Sequence, residues 1–256
     1  MAVTSILNNV AALGASYELG ITGTGMQDTI QRLTTGKRIN QASDDASGLV
    51  IANGLTADTQ IDTQAQANAN NLLTNLQTTD GTLNEATNLL TRAAELAEEA
   101  QGSGLTPTSA AALDAEFQSI STTFNTLITG TDGSQTTGLG TFGTFTVTIG
   151  VTTQLSGNSL TSVAAAASAA SAISASLDAL GTARGDIGAG EESLQSFSNV
   201  LGIQQQNQTA QLSQIEDANV ANEVVNLTKW QILNQSGISA LGKANQAGQS
   251  ILALLQ

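Results

Sequence analysis

Residues 65–97 read AQANANNLLTNLQTTDGTLNEATNLLTRAAELA. Small and apolar side chains recur at Ala65, Ala69, Leu72, Leu76, Thr79, Leu83, Ala86, Leu90, Ala93 and Ala97, with spacings that alternate four and three. That alternation is the seam of a coiled coil, because an average of 3.5 residues keeps every seam position on one side of the helix. Only Thr79 is polar. A helix through these residues is about 50 Å long at 1.5 Å per residue, so its stripe needs a partner of similar length.

The partner lies in the second half of the chain. Ile173, Leu180, Ile187, Leu194, Leu201, Gln208 and Ile215 recur every seventh residue, with Leu177 and Leu212 at alternate seam positions. The two seams are alike in length and lie on opposite sides of the midpoint, which predicts an antiparallel helical hairpin. A shorter helix starts at Pro107, where a missing N–H costs nothing in a first turn, with Thr106 as its cap. Its apolar positions are Leu113, Phe117, Ile120, Phe124 and Leu127. A glycine-rich stretch follows, then a period of two at Phe145, Val147, Ile149 and Val151, which predicts a small β-hairpin near 140–152.

The two ends form a second module. Ile6, Val10, Leu13, Tyr17, Met26, Ile30 and Leu33 mark an N-terminal helix, weakened at GITGTG (residues 20–25). Val220, Val224, Leu227, Ile238, Leu241, Leu252 and Leu255 mark a C-terminal one. Each has more apolar surface than nearby chain can cover, so both are expected to be marginal alone and stable when packed on other copies. The expected fold is mainly α: a long antiparallel coiled-coil hairpin with a small β-hairpin, and terminal helices paired as a separate module. The expected domains are 1–40 with 217–256, a linking segment 41–56, and a helical core 57–216.

Composition removes most other functions. Seven Lys and Arg stand against 21 Asp and Glu, a net charge of −14, which argues against nucleic acid because phosphate binding needs clustered cations. With no His and no Cys, imidazole ligands, thiolate sites, disulfides and His-assisted nucleophiles are all excluded. No catalytic, metal or cofactor site is expected. Asp44–Asp45 reads as structure, with Ser43 as N-cap and both carboxylates in the first helical turn. Glu98–Glu99 and Glu191–Glu192 read as solvated helix faces, and GLGTFG lacks the Lys and strand-to-helix context of a phosphate loop. No run approaches about 18 apolar residues, so no membrane span is expected. The opening carries no cleavable signal pattern, so export is expected without cleavage.

Charge concentrates in one place. In IQRLTTGKRINQASDDASGLVIANGL (residues 30–55), Arg32, Lys37 and Arg38 supply three of the seven cations, followed by Asn40, Asp44 and Asp45. Opposite charges here suit contacts between copies, where they set register. They equally suit pairing within one loop. Spacing does not choose between the two.

Leu33 to Leu55, LTTGKRINQASDDASGLVIANGL, resembles the N-terminal signature of bacterial flagellins. MAVTSILNN at the start, LQTTDGTLNEATNLLTRAAELA (76–97), and QIEDANVANEVVNLTKWQILNQSGISALGKANQAGQSILALLQ (214–256) resemble that family too. The resemblance covers roughly 1–128 and 170–256 and implies a structural subunit that self-assembles into the flagellar filament for motility. A hook–filament junction protein of the same superfamily is the alternative. Implied partners are other copies, the flagellar type III export apparatus and a chaperone, hook-associated and cap proteins, and Toll-like receptor 5. The implied location is extracellular, in the filament. The terminal helices would form an inner tube and the segment from Arg32 to Asp45 a spoke. Leu90, Arg92, Glu95 and Leu96 match the receptor motif of the family, with Thr91 and Ala94 departing from it. Gln214, GAGEESLQSF near 190 and Trp230 also depart from the family's pattern.

Overall fold

A computed structural model describes residues 9–102, 104, 106–131, 133–139, 143–151 and 155–253. Ile6, Leu255 and the stretch MAVTSILN therefore lie outside the described residues. In order, the elements are α1 (Val10–Thr35), α2 (Ala46–Gln101), α3 (Pro107–Thr131), β1 (Gly133–Gly138), β2 (Thr144–Ile149), α4 (Val163–Glu216) and α5 (Val220–Ala253). The chain divides into two compact units, residues 58–206 and residues 1–57 with 207–256.

In the unit of residues 58–206, all ten seam positions from Ala65 to Ala97 are buried. Gln205 Nε2 donates to Thr63 Oγ1 at 2.7 Å and Arg184 Nε to Asp80 Oδ1 at 2.7 Å, so numbers fall along α4 as they rise along α2. The pair is antiparallel. The stripe of α4 that is buried in this unit is Ala166, Ala169, Ile173, Ser176, Leu180, Ala183, Ile187, Gly190, Leu194 and Leu201. Leu177 is only half-buried, and so is Leu212 on the α4 segment of the other unit, so neither fills the seam as expected. Small side chains at 176, 183 and 190 take the alternate positions instead, because close approach needs volume removed there rather than added. At Gly190 a Cβ would lie 2.7 Å from Val147 Cγ2 and 3.6 Å from Leu76 Cδ1. A side chain would not fit.

The remaining elements thicken one end of this seam. Thr106 Oγ1 accepts from Ser109 N at 3.2 Å and Ser109 Oγ accepts from Thr106 N at 3.0 Å, a reciprocal cap that starts α3. Helix α3 then buries Phe117, Phe124 and Ile128 in the same core. Strands β1 and β2 pair antiparallel, Gly133 opposite Ile149 and Gly138 opposite Thr144. Val147, Ile149 and, just beyond the strand, Val151 are buried in that core. The hairpin thus begins at Gly133, earlier than 140, since GSQTTG carries no apolar alternation to announce a strand. An 18-residue window of α4 reaches a mean hydropathy of 1.4, enough to cross a membrane by length and composition. Its Ala-rich sequence instead supplies the packed stripe from Ala166 to Leu180.

The second unit is thin. Helix α1 runs unbroken through GITGTG, against the expected weakening. Thr22 and Thr24 hydroxyls donate back to Leu19 O at 2.9 Å and Gly20 O at 2.9 Å, and α5 packs alongside. Packing overrides the roughly 1 kcal/mol that each interior Gly costs relative to Ala. Asn9 Nδ2 donates to Ala244 O at 2.9 Å, and Arg32 Nη1 lies 3.8 Å from Glu223 Oε1, which makes α1 and α5 antiparallel. Gly36 ends α1 in the left-handed region at φ 72°, where its N–H donates to Arg32 O. Among the described residues of this unit, Ile39 and Ala52 are the only fully buried members of the apolar core.

Candidate assembly interface

The junction that follows α1 is built by backbone pairing and by charge. Lys37 bridges antiparallel to Asp217, Arg38 N donates to Glu216 O, and Ala218 N donates to Gly36 O at 2.8 Å. Lys37 Nζ donates to Glu216 Oε1 at 2.6 Å, and Arg38 Nη2 to Ile215 O at 2.8 Å. Asn40 Nδ2 donates to Lys37 O at 2.9 Å, fastening the turn that leaves α1. The cations named from the sequence therefore find partners within their own chain. Glu216, Asp217 and Glu223 complete the set, and no spacing rule could have joined residue 37 to residue 216.

The two aspartates have separate tasks. Asp44 Oδ2 accepts from Asn40 N at 3.0 Å and Gln41 N at 3.1 Å, with Arg32 Nη2 3.7 Å from Oδ1. The Asn40 amide first, then Gln41 and the Arg32 charge, hold its carboxyl below the usual aspartate range. Asp45 Oδ1 accepts from Gly48 N at 2.8 Å and from Ser47 Oγ at 3.0 Å. The Gly48 amide first, then the Ser47 hydroxyl, hold this carboxyl low as well. Helix α2 starts at Ala46, so its N-cap is Asp45 and not Ser43, and no acid sits in its first turn. A carboxylate accepting at the third helical residue is the stronger cap and sets the start. Ile39 closes the turn: a Cβ at Gly48 would meet Asp45 Oδ2 and, at 2.8 Å, Ile39 Cδ1.

Pairing α1 with α5 leaves large apolar side chains in solvent. Leu13 is 73% exposed, Tyr17 70%, Val225 66% and Ile232 61%, and Val10, Ile30, Val220 and Ile238 are all near half exposed or more. Such a density along two helices with almost no buried core is the mark of a surface made to be covered.

The receptor-like stretch sits on α2 in the other unit. Leu90 and Leu96 are fully buried seam and core residues. Arg92 and Glu95 are exposed and paired at 3.0 Å, and Arg92 also donates from Nη2 to Glu116 Oε1 on α3 at 2.8 Å. Glu116 first and then Glu95 raise the guanidinium above its ordinary value. The leucines support this turn from beneath while the charges face water.

Two sequence profiles match the chain: the bacterial flagellin N-terminal helical region over residues 6–139, and the bacterial flagellin C-terminal helical region over residues 170–255. Flagellin FlaB1 of Treponema pallidum is 31% identical, covering 98% of this chain and 99% of its own length. The flagellin of Halalkalibacterium halodurans is 30% identical with the same coverage. So is the flagellar filament 30.7 kDa core protein of Treponema maltophilum, at 30%. These relatives match end to end, with the paired terminal helices and the helical hairpin both inside the matched regions. The chain belongs to the bacterial flagellin family, as a structural subunit of the flagellar filament.

Proposed function

We propose that this subunit polymerises through the exposed faces of α1 and α5, with the Arg32–Asp45 junction as the spoke that holds those helices to the rest of the chain. The observation that carries the reading is the apolar surface from Val10 to Ile30 and from Val220 to Ile238, which the chain itself does not cover. The division expected from the sequence, 1–40 with 217–256, 41–56, and 57–216, assigns assembly, linkage and the outer body to successive parts. The chain reaches the filament through the flagellar export apparatus with a chaperone. Hook-associated and cap proteins bound the filament at its two ends.

A salt jump on purified full-length protein, followed by electron microscopy, tests this. Wild type forms filaments, while Leu13→Glu and Ile232→Glu remain soluble subunits with unchanged helix content. Filaments from both variants would overturn the assignment of this face.

Recognition by Toll-like receptor 5 rests here on Arg92 and Glu95, because Leu90 and Leu96 are committed to the core. Arg92→Ala in monomer should lower reporter-cell signalling at least about tenfold, the loss typical of an interface arginine anchor. A wild-type monomer silent at all doses would show that the receptor does not recognise this chain.

A further inference from the structure

Polar contacts tie the α1–α5 pair near its ends, Asn9 to Ala244 and Arg32 to Glu223, and leave the middle to packing. Its buried α1 residues are Thr22 and Thr29, and both hydroxyls donate within α1, to Leu19 O at 2.9 Å and Gly25 O at 2.8 Å. Threonines occupied in this way give no directional bond to α5. Two glycines do something different. A Cβ built on Gly25 would lie 2.8 Å from Trp230 Cε2, 2.9 Å from Cζ2 and 3.1 Å from Cδ2. A Cβ on Gly237 would lie 3.3 Å from Leu19 Cδ1. The arrangement is reciprocal: an α5 indole fills a hole in α1, and an α1 leucine fills a hole in α5. The two contacts lie six residues apart on α1 and seven apart on α5, as an antiparallel pair in one register requires. Gly14, Gly20 and Gly23 on the same helix have open space where a Cβ would stand.

From this geometry we infer that Trp230 in the Gly25 hole, backed by Leu19 in the Gly237 hole, is the register lock of the α1–α5 pair. It thereby determines which apolar side chains the pair presents to neighbouring copies. The inference rests on the assembly reading above and names its positioning residues. An indole is rigid beyond two torsions, and its fused-ring atoms are the ones that approach Gly25. Ala at 25 must therefore displace α5 along or away from α1, whereas a flexible side chain could step aside. A slide of even one residue moves α5 by about 1.5 Å and rotates its outward face by about 100° relative to α1. Neighbours would then meet a different stripe.

The test uses full-length chains added to wild-type filament seeds, with elongation followed by light scattering. Gly25→Ala should elongate at least tenfold more slowly than wild type, while Gly81→Ala and Gly181→Ala, at open helical positions away from α1 and α5, match it. Gly25→Ala combined with Trp230→Leu, which empties the crowded volume, should recover most of the rate. A second readout is independent of polymerisation. The chain has no cysteine, so Asn9→Cys with Ala244→Cys reports the register by disulfide trapping. Trapping should be efficient with Gly25 and lost with Gly25→Ala. Normal elongation and normal trapping in Gly25→Ala would overturn the lock, as would a double variant no better than the single one. If wild type fails to elongate but trapping still discriminates, the lock stands and the assembly reading falls.

Discussion

Arg184 grips Asp80 with two nitrogens, Nε to Oδ1 at 2.7 Å and Nη2 to Oδ2 at 3.3 Å, and its Nη1 reaches Asn84 Oδ1 at 3.3 Å. The contact crosses from α4 to α2 midway along the seam. Asp80 raises the guanidinium above its ordinary value. Both side chains are more than a third exposed, so Asp80→Ala should lower stability by less than about 1 kcal/mol, with the loss shrinking in high salt. Urea denaturation at two ionic strengths measures both. A salt-independent loss of several kcal/mol would show that the pair is not solvated.

Asp62 makes the opposite case. It is 1% exposed on the seam of α2, and neither carboxylate oxygen has a hydrogen-bond partner. Burial without a partner costs a polar group about 1–3 kcal/mol in proteins. Asp62→Leu should therefore raise the denaturation midpoint, and Asp62→Asn should fall between the two. A lower midpoint for Leu would reveal a favourable contact to the carboxylate.

Acid should act on the subunit in two stages. Lowering pH toward 4–5 reduces the net charge of −14, so repulsion between copies falls and polymerisation quickens. Asp44 and Asp45 work the other way, because amides hold both folded carboxyls low. Their contribution is fully present above the unfolded aspartate value of about 3.9 and is lost as pH falls through the folded values. Polymer yield should rise toward pH 4 and then drop, with Asp45→Asn weakening the acid-side drop. A yield that climbs steadily to pH 2 would contradict the second stage.

Reversing charge in the junction should matter more than elsewhere. Arg38→Glu removes the donor to Ile215 O, and Asp44→Lys leaves the amides of Asn40 and Gln41 without an acceptor. Glu98 is exposed on α2, and Glu98→Lys is the control. Filament mass by sedimentation should fall in the first two variants and hold in the third.

Much of this was legible in the sequence. The four-three repeat from Ala65 to Ala97 names ten buried positions and misses only Leu96, because one rule, a stripe facing one partner, governs most of that stretch. Where two demands compete, the reading slips. At 176–177 apolarity favours Leu177, but close helix approach selects Ser176. At Gly25 poor helix propensity reads as a weak point, although the glycine is space for Trp230. Asp62 falls three residues before Ala65, where the sequence reading of the seam does not extend. Strand β1 shows only through its partner. The long-range pairs from Lys37 to Glu216 and from Arg32 to Glu223 depend on chain topology, which local pattern does not carry.

The seam of α2 and α4 in residues 58–206 is graded rather than uniform. Toward Gln101 and Val163 it is thickened by Phe117, Phe124 and Ile128 of α3, and at Leu76 and Gly190 by Val147, all in one cluster. Toward Asp62 and Gln205 only the two helices contribute, with Ala65, Ala69, Leu72, Leu194, Leu201 and a bare carboxylate. Each turn there contributes little and depends mainly on its neighbours, as in a linear array. Under tension the pair should unzip from the Asp62 end in many small steps, and the aromatic end should yield last. A tether that opens gradually dissipates load over distance, where a single thick core would hold and then snap.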